Sequence, residues 1–425
     1  MKILWVKPGK LLPLDSGGKL RTYNILRYLC ATHDVTYLSY YGGRRDQEYE
    51  QAILQHFPRA VSVHSQSLDM AGFAQYLDYF RHLLSPAPYS VRKFTTRRVQ
   101  RMLADWISER RFDIAVCDFL ASTLNFPREL SIPTVLFQHN VESLLWKRRA
   151  RYETARLDRW ISKIEHVKMA RFEPAQVRRF HRVLAVSDVD RSAMREMIDP
   201  ERITVIPTGV DLDTYNYDRN LQPEGPLVVF AGAMDWAPNI DAVEYFCHDI
   251  WPDILKEVPE ARFRIVGRKP HSRVQNLASA SIEVTGTVPS VVDHLRDAAV
   301  LVVPLRIGGG TRIKIYEGMA MGKATVSTRL GAEGLDVHDG KDILLADDPQ
   351  HFAEHVVTLL RDQKTRCQYE EAAAATAQQY DWAVITERLA EALQRTVSAF
   401  SAKAVSAQIP ADLFRVNGVH ENTRP

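Results

Sequence analysis

Apolar residues along this chain come in short runs, separated by longer stretches in which they recur at helical spacing. Lys2–Val6 (KILWV) is the first run and predicts a strand. Gly17–Gly18 follow, and then a helical pattern, LRTYNILRYL. Val35–Ser39 predicts the next strand, with others expected at Ile114–Cys117, Thr134–Phe137, Val183–Val186 and Thr204–Ile206. Long helices are expected around 97–110 and 144–180. Strands separated by helices imply βαβ units and a parallel sheet.

Pro207–Pro226 breaks the pattern with Pro, Gly, Asp and Asn. A second series of strands then begins: Leu227–Phe230, Phe263–Val266, Ile282–Val284, Val300–Val303, Ala324–Ser327 and Ile343–Leu345. The fold class is therefore α/β, with two doubly wound domains. We expect an N-terminal domain over 1–207, a linker over 208–225, a second domain over 226–380, and a C-terminal helix over 381–400. The last helical stretch reads as Tyr369–Ala399, and the polar segment 401–425 is expected to be a poorly ordered tail. Ligands in such sheets bind beyond the carboxyl ends of the strands, so a cleft between the two domains is the expected site.

Composition narrows this only slightly. With 425 residues, 45% hydrophobic and 25% charged, the chain is globular rather than fibrous or wholly disordered. No run of about 18 apolar residues predicts a membrane span, and the N-terminus has no signal-peptide pattern. The four cysteines are scattered and form neither a zinc pattern nor a disulfide framework, which fits a reducing cytoplasm. Charge changes the picture more. Residues 1–190 hold 30 Lys and Arg against 19 Asp and Glu, whereas the rest hold 25 against 33. The cations cluster in Arg92–Arg111 and Lys147–Arg182, the latter interleaved with Tyr152, Leu157, Trp160, Ile161 and Ile164. Such a helix either packs its apolar face on its own core or lies on an anionic membrane. No nucleic-acid signature is present, and nucleic acid is not an expected partner.

Chemistry concentrates in Val302–Ser327 (VVPLRIGGGTRIKIYEGMAMGKATVS). An apolar strand runs into Gly308, Gly309 and Gly310, and a helical pattern starts near Thr311. Glycines let backbone N–H groups approach a ligand, and a helix N-terminus favours an anion. Arg312 and Lys314 add positive charge, and Glu317 stands where it could accept hydrogen bonds from ribose hydroxyls. These parts describe a nucleoside-diphosphate site, with a plain glycine turn as the alternative. No GKS or GKT follows the glycines, so the motif is not a P-loop.

This segment resembles the donor-nucleotide motif of glycosyltransferase family 4, whose members are retaining enzymes of the GT-B fold, with two Rossmann-like domains facing a central cleft. Further segments match in the family's order. Gly17–Gly18 is similar to its N-domain glycine loop, Gln138–Glu142 (QHNVE) to its HN motif, and Ile206–Asp211 (IPTGVD) to its interdomain motif. Ala231–Asn239 (AGAMDWAPN) and Ile265–Arg268 (IVGR) resemble its C-domain strand ends, and Thr285–Pro289 (TGTVP) its base-binding loop. The resemblance covers about residues 1–395. It implies that His139 contacts the donor sugar near its reacting carbon, with Asn140 beside it. It also implies that Gly232, Arg268 and Val288 line the donor site, and that no metal or other cofactor is needed.

Two departures stand out. The family usually carries two glutamates eight positions apart. Glu317 matches the second, but Gly309 occupies the place of the first, leaving Asp235 as a candidate substitute. The loop at Gly232 also lacks the family's Arg and Lys, so Arg312, Lys314 or Arg268 would hold the diphosphate. Asn140 and Glu142 either orient the loop or cap the next helix. No metal-ligand spacing and no hydrolase motif appears.

The implied reaction moves a hexose-type sugar from a nucleoside diphosphate to a hydroxyl of a saccharide or lipid-linked saccharide during polysaccharide assembly. It would run in the cytoplasm, with contact to the inner membrane face through the basic N-domain. A GT-B-like epimerase and an inactive nucleotide-sugar-binding protein are the alternatives.

Overall fold

The computed structural model describes residues 1–66, 68, 73–153, 155–221, 223, 225–308 and 312–408. The first domain holds seven parallel strands: β1 Lys2–Pro8, β2 Asp34–Tyr41, β3 Ala60–His64, β4 Ile114–Asp118, β5 Thr134–Gln138, β6 Arg182–Ala185 and β7 Ile203–Val205. Their order is β3-β2-β1-β4-β5-β6-β7. The second holds β8 Leu227–Ala231, β9 Arg262–Val266, β10 Ile282–Gly286, β11 Val300–Val303, β12 Ala324–Ser327 and β13 Leu344–Leu345, in the order β10-β9-β8-β11-β12-β13. Strands β4, β5, β8, β11 and β12 are buried along their whole length, because helices cover both faces.

This order locates the site. The chain runs outward from β1 to β3 and then returns to place β4 on β1's other side. In the second domain β8 lies between β9 and β11 in the same way. At each switch the loops leaving adjacent strands part in opposite directions and open a crevice at the carboxyl edge.

All the expected strands are present. The sequence reading missed β3, an edge strand whose AVSVH alternation is short and mostly half-buried. The stretch expected to be helical around 144–180 forms two helices, Glu142–Tyr152 and Arg156–Arg179. The stretch expected over Tyr369–Ala399 is also two, Gln363–Gln378 and Trp382–Gln408. The second break has a visible cause: the Tyr380 hydroxyl donates to Asp336 (2.7 Å), and Asp381 accepts the Ala383 N–H (2.7 Å). The last helix also continues through 401–408, part of the segment expected to be a tail; 409–425 lie outside the described residues.

That last helix returns to the first domain and packs on the helix Gly17–Thr32. Val210 N–H donates to the Tyr380 carbonyl (2.8 Å) and Trp382 N–H to the Val210 carbonyl (3.2 Å). Gly209 makes the crossing possible, since a Cβ there would lie 2.5 Å from the Trp382 ring. Further along, Arg182 Nε donates to Thr396 Oγ1 (2.9 Å), and His181 meets Phe400 edge-on. One apolar cluster consequently runs from Trp5, Ile25 and Phe137 through Ile206 and Val210 to Phe246, Trp382 and Leu389.

Trp382 is 3% exposed at this crossing. Trp382→Ala should lower the unfolding free energy by about 3–5 kcal/mol, read from urea denaturation. A loss below about 1 kcal/mol would show that the crossing is dispensable to the fold.

Candidate functional site

On the second domain the site forms around the helix Ile313–Ala320. Gly309, Gly310 and Thr311 lie outside the described residues. Gly308 has φ +118°, which favours glycine, and approaches Arg312 and Pro238. The helix starts two residues later than expected, with the buried Arg312 at its N-cap. Lys314 Nζ donates to Asn239 Oδ1 (3.1 Å) and lies 4.2 Å from the centre of the Phe230 ring. A Cβ on Gly232 would sit 2.7 Å from both the Lys314 ammonium and the Asn239 amide, so only glycine leaves both in place. Burial, and then Arg312, lower the Lys314 ammonium to about 7 despite the nearby Glu317 carboxylate. Burial raises Glu317 above the ordinary carboxylate range, and the Tyr215 hydroxyl, donating to it, partly offsets that. Lys314 is thus poised to gain a proton when an anion arrives.

On the first domain His139 directly follows β5 but does not project into open space. Its Nε2 lies 2.6 Å from Asp118 Oδ1, and its Nδ1 lies 3.3 Å from Arg21 Nη1. A guanidinium can only donate, so Nδ1 accepts and Nε2–H donates to Asp118. Asp118 Oδ2 also accepts from Thr22 Oγ1 (2.7 Å) and Trp5 Nε1 (3.1 Å). Burial lowers the His139 pKa, only partly countered by Asp118, so the ring is neutral near pH 7. Asp118 is held below its ordinary value by the His139, Lys7 and Thr22 contacts, which outweigh its desolvation. Phe119 stacks on His139 with centroids 3.8 Å apart and planes 4° apart. Its backbone takes φ +72°, rare for an aromatic residue, which marks a strained turn at the end of β4.

The two sides meet at the glycine loop. A Cβ on Gly18 would lie 2.8 Å from the Phe119 ring, and one on Gly17 would lie 3.3 Å from Ile313 of the opposite domain. His139, Phe119, Gly18, Gly17 and Ile313 therefore form a continuous chain of close approaches across the cleft. Arg268 Nη2 crosses it too, donating to the Asp15 carbonyl (3.3 Å). Arg148 grips Glu333 with two hydrogen bonds, 2.9 and 3.2 Å, beside a crevice of about 50 Å³ that Asn140 and Asp190 also line.

Of the sequence-derived residues, Gly17, Gly18, His139, Arg268, Arg312 and Lys314 converge on this junction, with Gly232 against Lys314 and Glu317 on the same helix. Asp235 is exposed on its turn, and Val288 packs partly against the core. The capping role considered for Asn140 and Glu142 is taken instead by Glu173, whose carboxylate accepts the N–H groups of Glu142 (2.7 Å) and Ser143 (3.0 Å). Beside Glu173, burial lifts the Glu142 carboxyl to about 7. Sequence reading missed Arg21, Asp118, Phe119, Tyr215, Asn239 and Glu333. Only Asp118, following the apolar run IAVC at a strand end, offered a local signal; the others act through contacts distant in the chain.

Two parallel-sheet domains with strand-end loops facing each other across a junction are the architecture expected above of the GT-B fold. A model described as Glycosyltransferase Family 4 matches residues 16–214, and one described as Glycosyl transferases group 1 matches residues 225–362. The chain belongs to this glycosyltransferase family and has the GT-B fold. It is 26% identical over 234 residues to the phosphatidyl-myo-inositol mannosyltransferase of Mycobacterium tuberculosis, covering 52% of this chain and 61% of that one. The match thus spans less than two thirds of that relative's length. Among solved structures, sucrose-phosphate synthase from Thermosynechococcus elongatus superposes with a TM-score of 0.70 at 15% identity, covering 94% of this chain and 100% of that one. Anabaena HepE in complex with UDP superposes with a TM-score of 0.63 at 15% identity, over 93% and 100%.

Lys314 supplies a measurable consequence. A diphosphate bound beside it should pull its pKa above the free value of about 7. Nucleotide binding should then take up close to one proton at pH 8 and almost none at pH 6, read from calorimetric enthalpies in buffers of different ionisation heat. Affinity should fall with rising pH above 7. Lys314→Met should abolish nucleotide binding without lowering the melting temperature, because the ammonium is disfavoured in the folded state at neutral pH. Equal enthalpies in all buffers at pH 8 would remove Lys314 from the phosphate site.

Proposed function

We propose that this chain is a retaining hexosyltransferase, moving a sugar from a nucleoside diphosphate to a hydroxyl of a saccharide or lipid-linked saccharide in polysaccharide or glycoconjugate synthesis. The observation that carries this reading is the approach of Gly17 to Ile313, which brings the His139 cluster against the helix bearing Lys314 and Glu317. The names of similar proteins support its two halves. HepE was solved with UDP and with UDP-glucose, and the mycobacterial relative is named for a lipid acceptor.

In this mechanism Lys314, Arg312 and the helix N-terminus receive the diphosphate and stabilise the charge that develops as it leaves. Glu317, on the same helix, accepts hydrogen bonds from ribose or sugar hydroxyls. Both nitrogens of His139 are engaged, so its ring serves better to shape the sugar pocket than to remove a proton. Among the described residues no carboxylate stands free beside His139 to act as a nucleophile, since Asp118 is buried and holds three donors. Deprotonation of the acceptor by the departing phosphate, on the face the donor leaves, accounts for retention without one. Neither a metal nor another cofactor enters this scheme.

Contact with the inner membrane face belongs to the same proposal. No helix among the described residues is long and apolar enough to cross a membrane. The first domain nonetheless exposes Leu77, Phe80, Leu84, Leu157, Trp160 and Val167, and Arg156, Arg159 and Lys163 lie exposed among the last three. Basic and apolar side chains on one helix suit an anionic lipid surface.

Incubation with UDP-, GDP- and ADP-sugars and a lipid-linked acceptor should release nucleoside diphosphate only when acceptor is present. Proton NMR should show the donor's anomeric configuration in the product, and EDTA should leave the rate unchanged. Inverted product or complete loss with EDTA would overturn the mechanism, and tight nucleotide-sugar binding without turnover would favour a binding protein. Pelleting with phosphatidylglycerol vesicles at low salt, lost at high salt, is the result expected of membrane contact. No pelleting at low salt would remove it.

A further inference from the structure

His139 lies in the segment Gln138–Ser143, between the last residue of β5 and the first turn of the helix Glu142–Tyr152. One carboxylate holds this segment at both ends. Glu173, on the helix Arg156–Arg179, accepts from the Gln138 side-chain amide just before His139. Beyond His139 it accepts the N–H groups of Glu142 (2.7 Å) and Ser143 (3.0 Å). Val141, at the N-cap position, makes no side-chain bond, so without Glu173 these first-turn donors would be orphaned.

Glu173 has no exposed surface. Burial raises its pKa, and the Ser143, Glu142 and Gln138 donors pull it back. Gln138 is 1% exposed, and its Oε1 has no hydrogen-bond partner among the described residues. An unsatisfied buried oxygen is a cost, and the bond from the same amide to Glu173 is what offsets it. Other contacts fix the backbone between these ends. Val141 N–H donates to Asp190, and His166, on the same helix as Glu173, donates from Nδ1 to the Ser143 carbonyl (3.1 Å). A 2.6 Å bond to Asp118 and ring planes 4° from those of Phe119 leave His139 little tolerance for a shift of this backbone. The helix that Glu173 caps also carries Arg148, which reaches Glu333 of the second domain.

The same helix supplies an internal comparison. Glu165, eight residues earlier and 1% exposed, accepts the N–H groups of Tyr89 (3.1 Å) and Ser90 (3.1 Å) and the Ser90 hydroxyl (3.1 Å) at the start of the helix Tyr89–Arg92. Both glutamates therefore do the same structural work. Only Glu173 does it on the segment that bears His139.

We propose that Glu173 is a positioning residue of the transfer reaction, setting the His139 ring against the donor sugar through the segment it brackets. Being fully buried, it acts without touching substrate. The reaction rests on the transferase reading above; the positioning rests on the three bonds to Glu173. A displacement of about 1 Å in a positioned group can cost about a hundredfold in rate, so the effect belongs in kcat rather than in nucleotide affinity.

Glu173→Gln keeps the volume but turns one acceptor oxygen into an NH2 group, which releases one end of the segment. Glu165→Gln makes the same change at the other cap. Both are compared with the unmodified full chain by turnover, by melting temperature and by calorimetry with whichever of UDP, GDP and ADP binds. Both variants should lose similar stability and bind the nucleotide as before. Glu173→Gln should lower kcat about 10- to 100-fold with donor KM changed less than about threefold, whereas Glu165→Gln should change kcat less than about twofold. Nitrogen-15 NMR of histidine-labelled protein, with the His139 signals identified by their loss in His139→Gln, should show them shifted in Glu173→Gln and unmoved in Glu165→Gln. Gln138→Leu cuts only the bond before His139 and keeps the helix cap, so it carries the test if Glu173→Gln fails to fold. It should lower kcat about three- to tenfold and shift the same signals.

The proposal is overturned if a folded Glu173→Gln keeps its kcat and its His139 signals, if both glutamate variants lose rate equally, or if the loss lies in nucleotide affinity. With Glu173→Gln unfolded, full kcat and unmoved signals in Gln138→Leu overturn it as well. Each of these, with the unmodified protein turning over, leaves the transferase reading standing. No turnover by the unmodified protein sinks that reading and with it Glu173's part in a reaction, while the NMR comparison still decides whether Glu173 holds the His139 segment.

Discussion

The working geometry depends on the space left by two absent side chains. Gly18 lets the Phe119 ring close over the glycine loop, and Gly17 lets the opposite domain's Ile313 come within van der Waals reach. A single methyl at Gly18 would meet that ring at 2.8 Å, a separation that real Cβ contacts essentially never show. The ring could not simply move away, because it is stacked on His139. The imidazole in turn is held at both nitrogens, and Asp118 behind it is held by Trp5 and Thr22. Interior packing is dense enough to transmit such a displacement through the whole stack.

Electrostatics divides the same junction into two compartments. Lys314 on one side and Lys7 on the other are cations in desolvated surroundings, each with its pKa lowered chiefly by burial. Neither placement is favourable to the free protein. Asp118 offsets part of that cost at Lys7, and Glu317 part of it at Lys314. Between the two lie a neutral His139 and a glycine loop without side chains.

Much of this was legible in the chain itself. The two series of apolar runs announced two parallel sheets, and every strand expected from them is present, because strands buried on both faces must be apolar throughout. Lys314 and Glu317 were recognisable because glycines followed by a cationic helix start is a local pattern. Edge strand β3 escaped because a half-buried strand need not be apolar. The breaks in the long helices escaped because their causes, such as Asp336 reaching Tyr380, lie 44 residues away in the chain.

The sequence by itself determined the fold class, the two series of strands and the glycine-rich segment that precedes the helix Ile313–Ala320. All of these rest on short-range constraints, namely periodicity, backbone freedom and local charge. Only the tertiary structure decided that His139 is enclosed, that Glu173 rather than a neighbour caps its helix, and that Tyr215 of the linker reaches Glu317. Those outcomes depend on which distant segments share a boundary, and neither spacing nor composition encodes that.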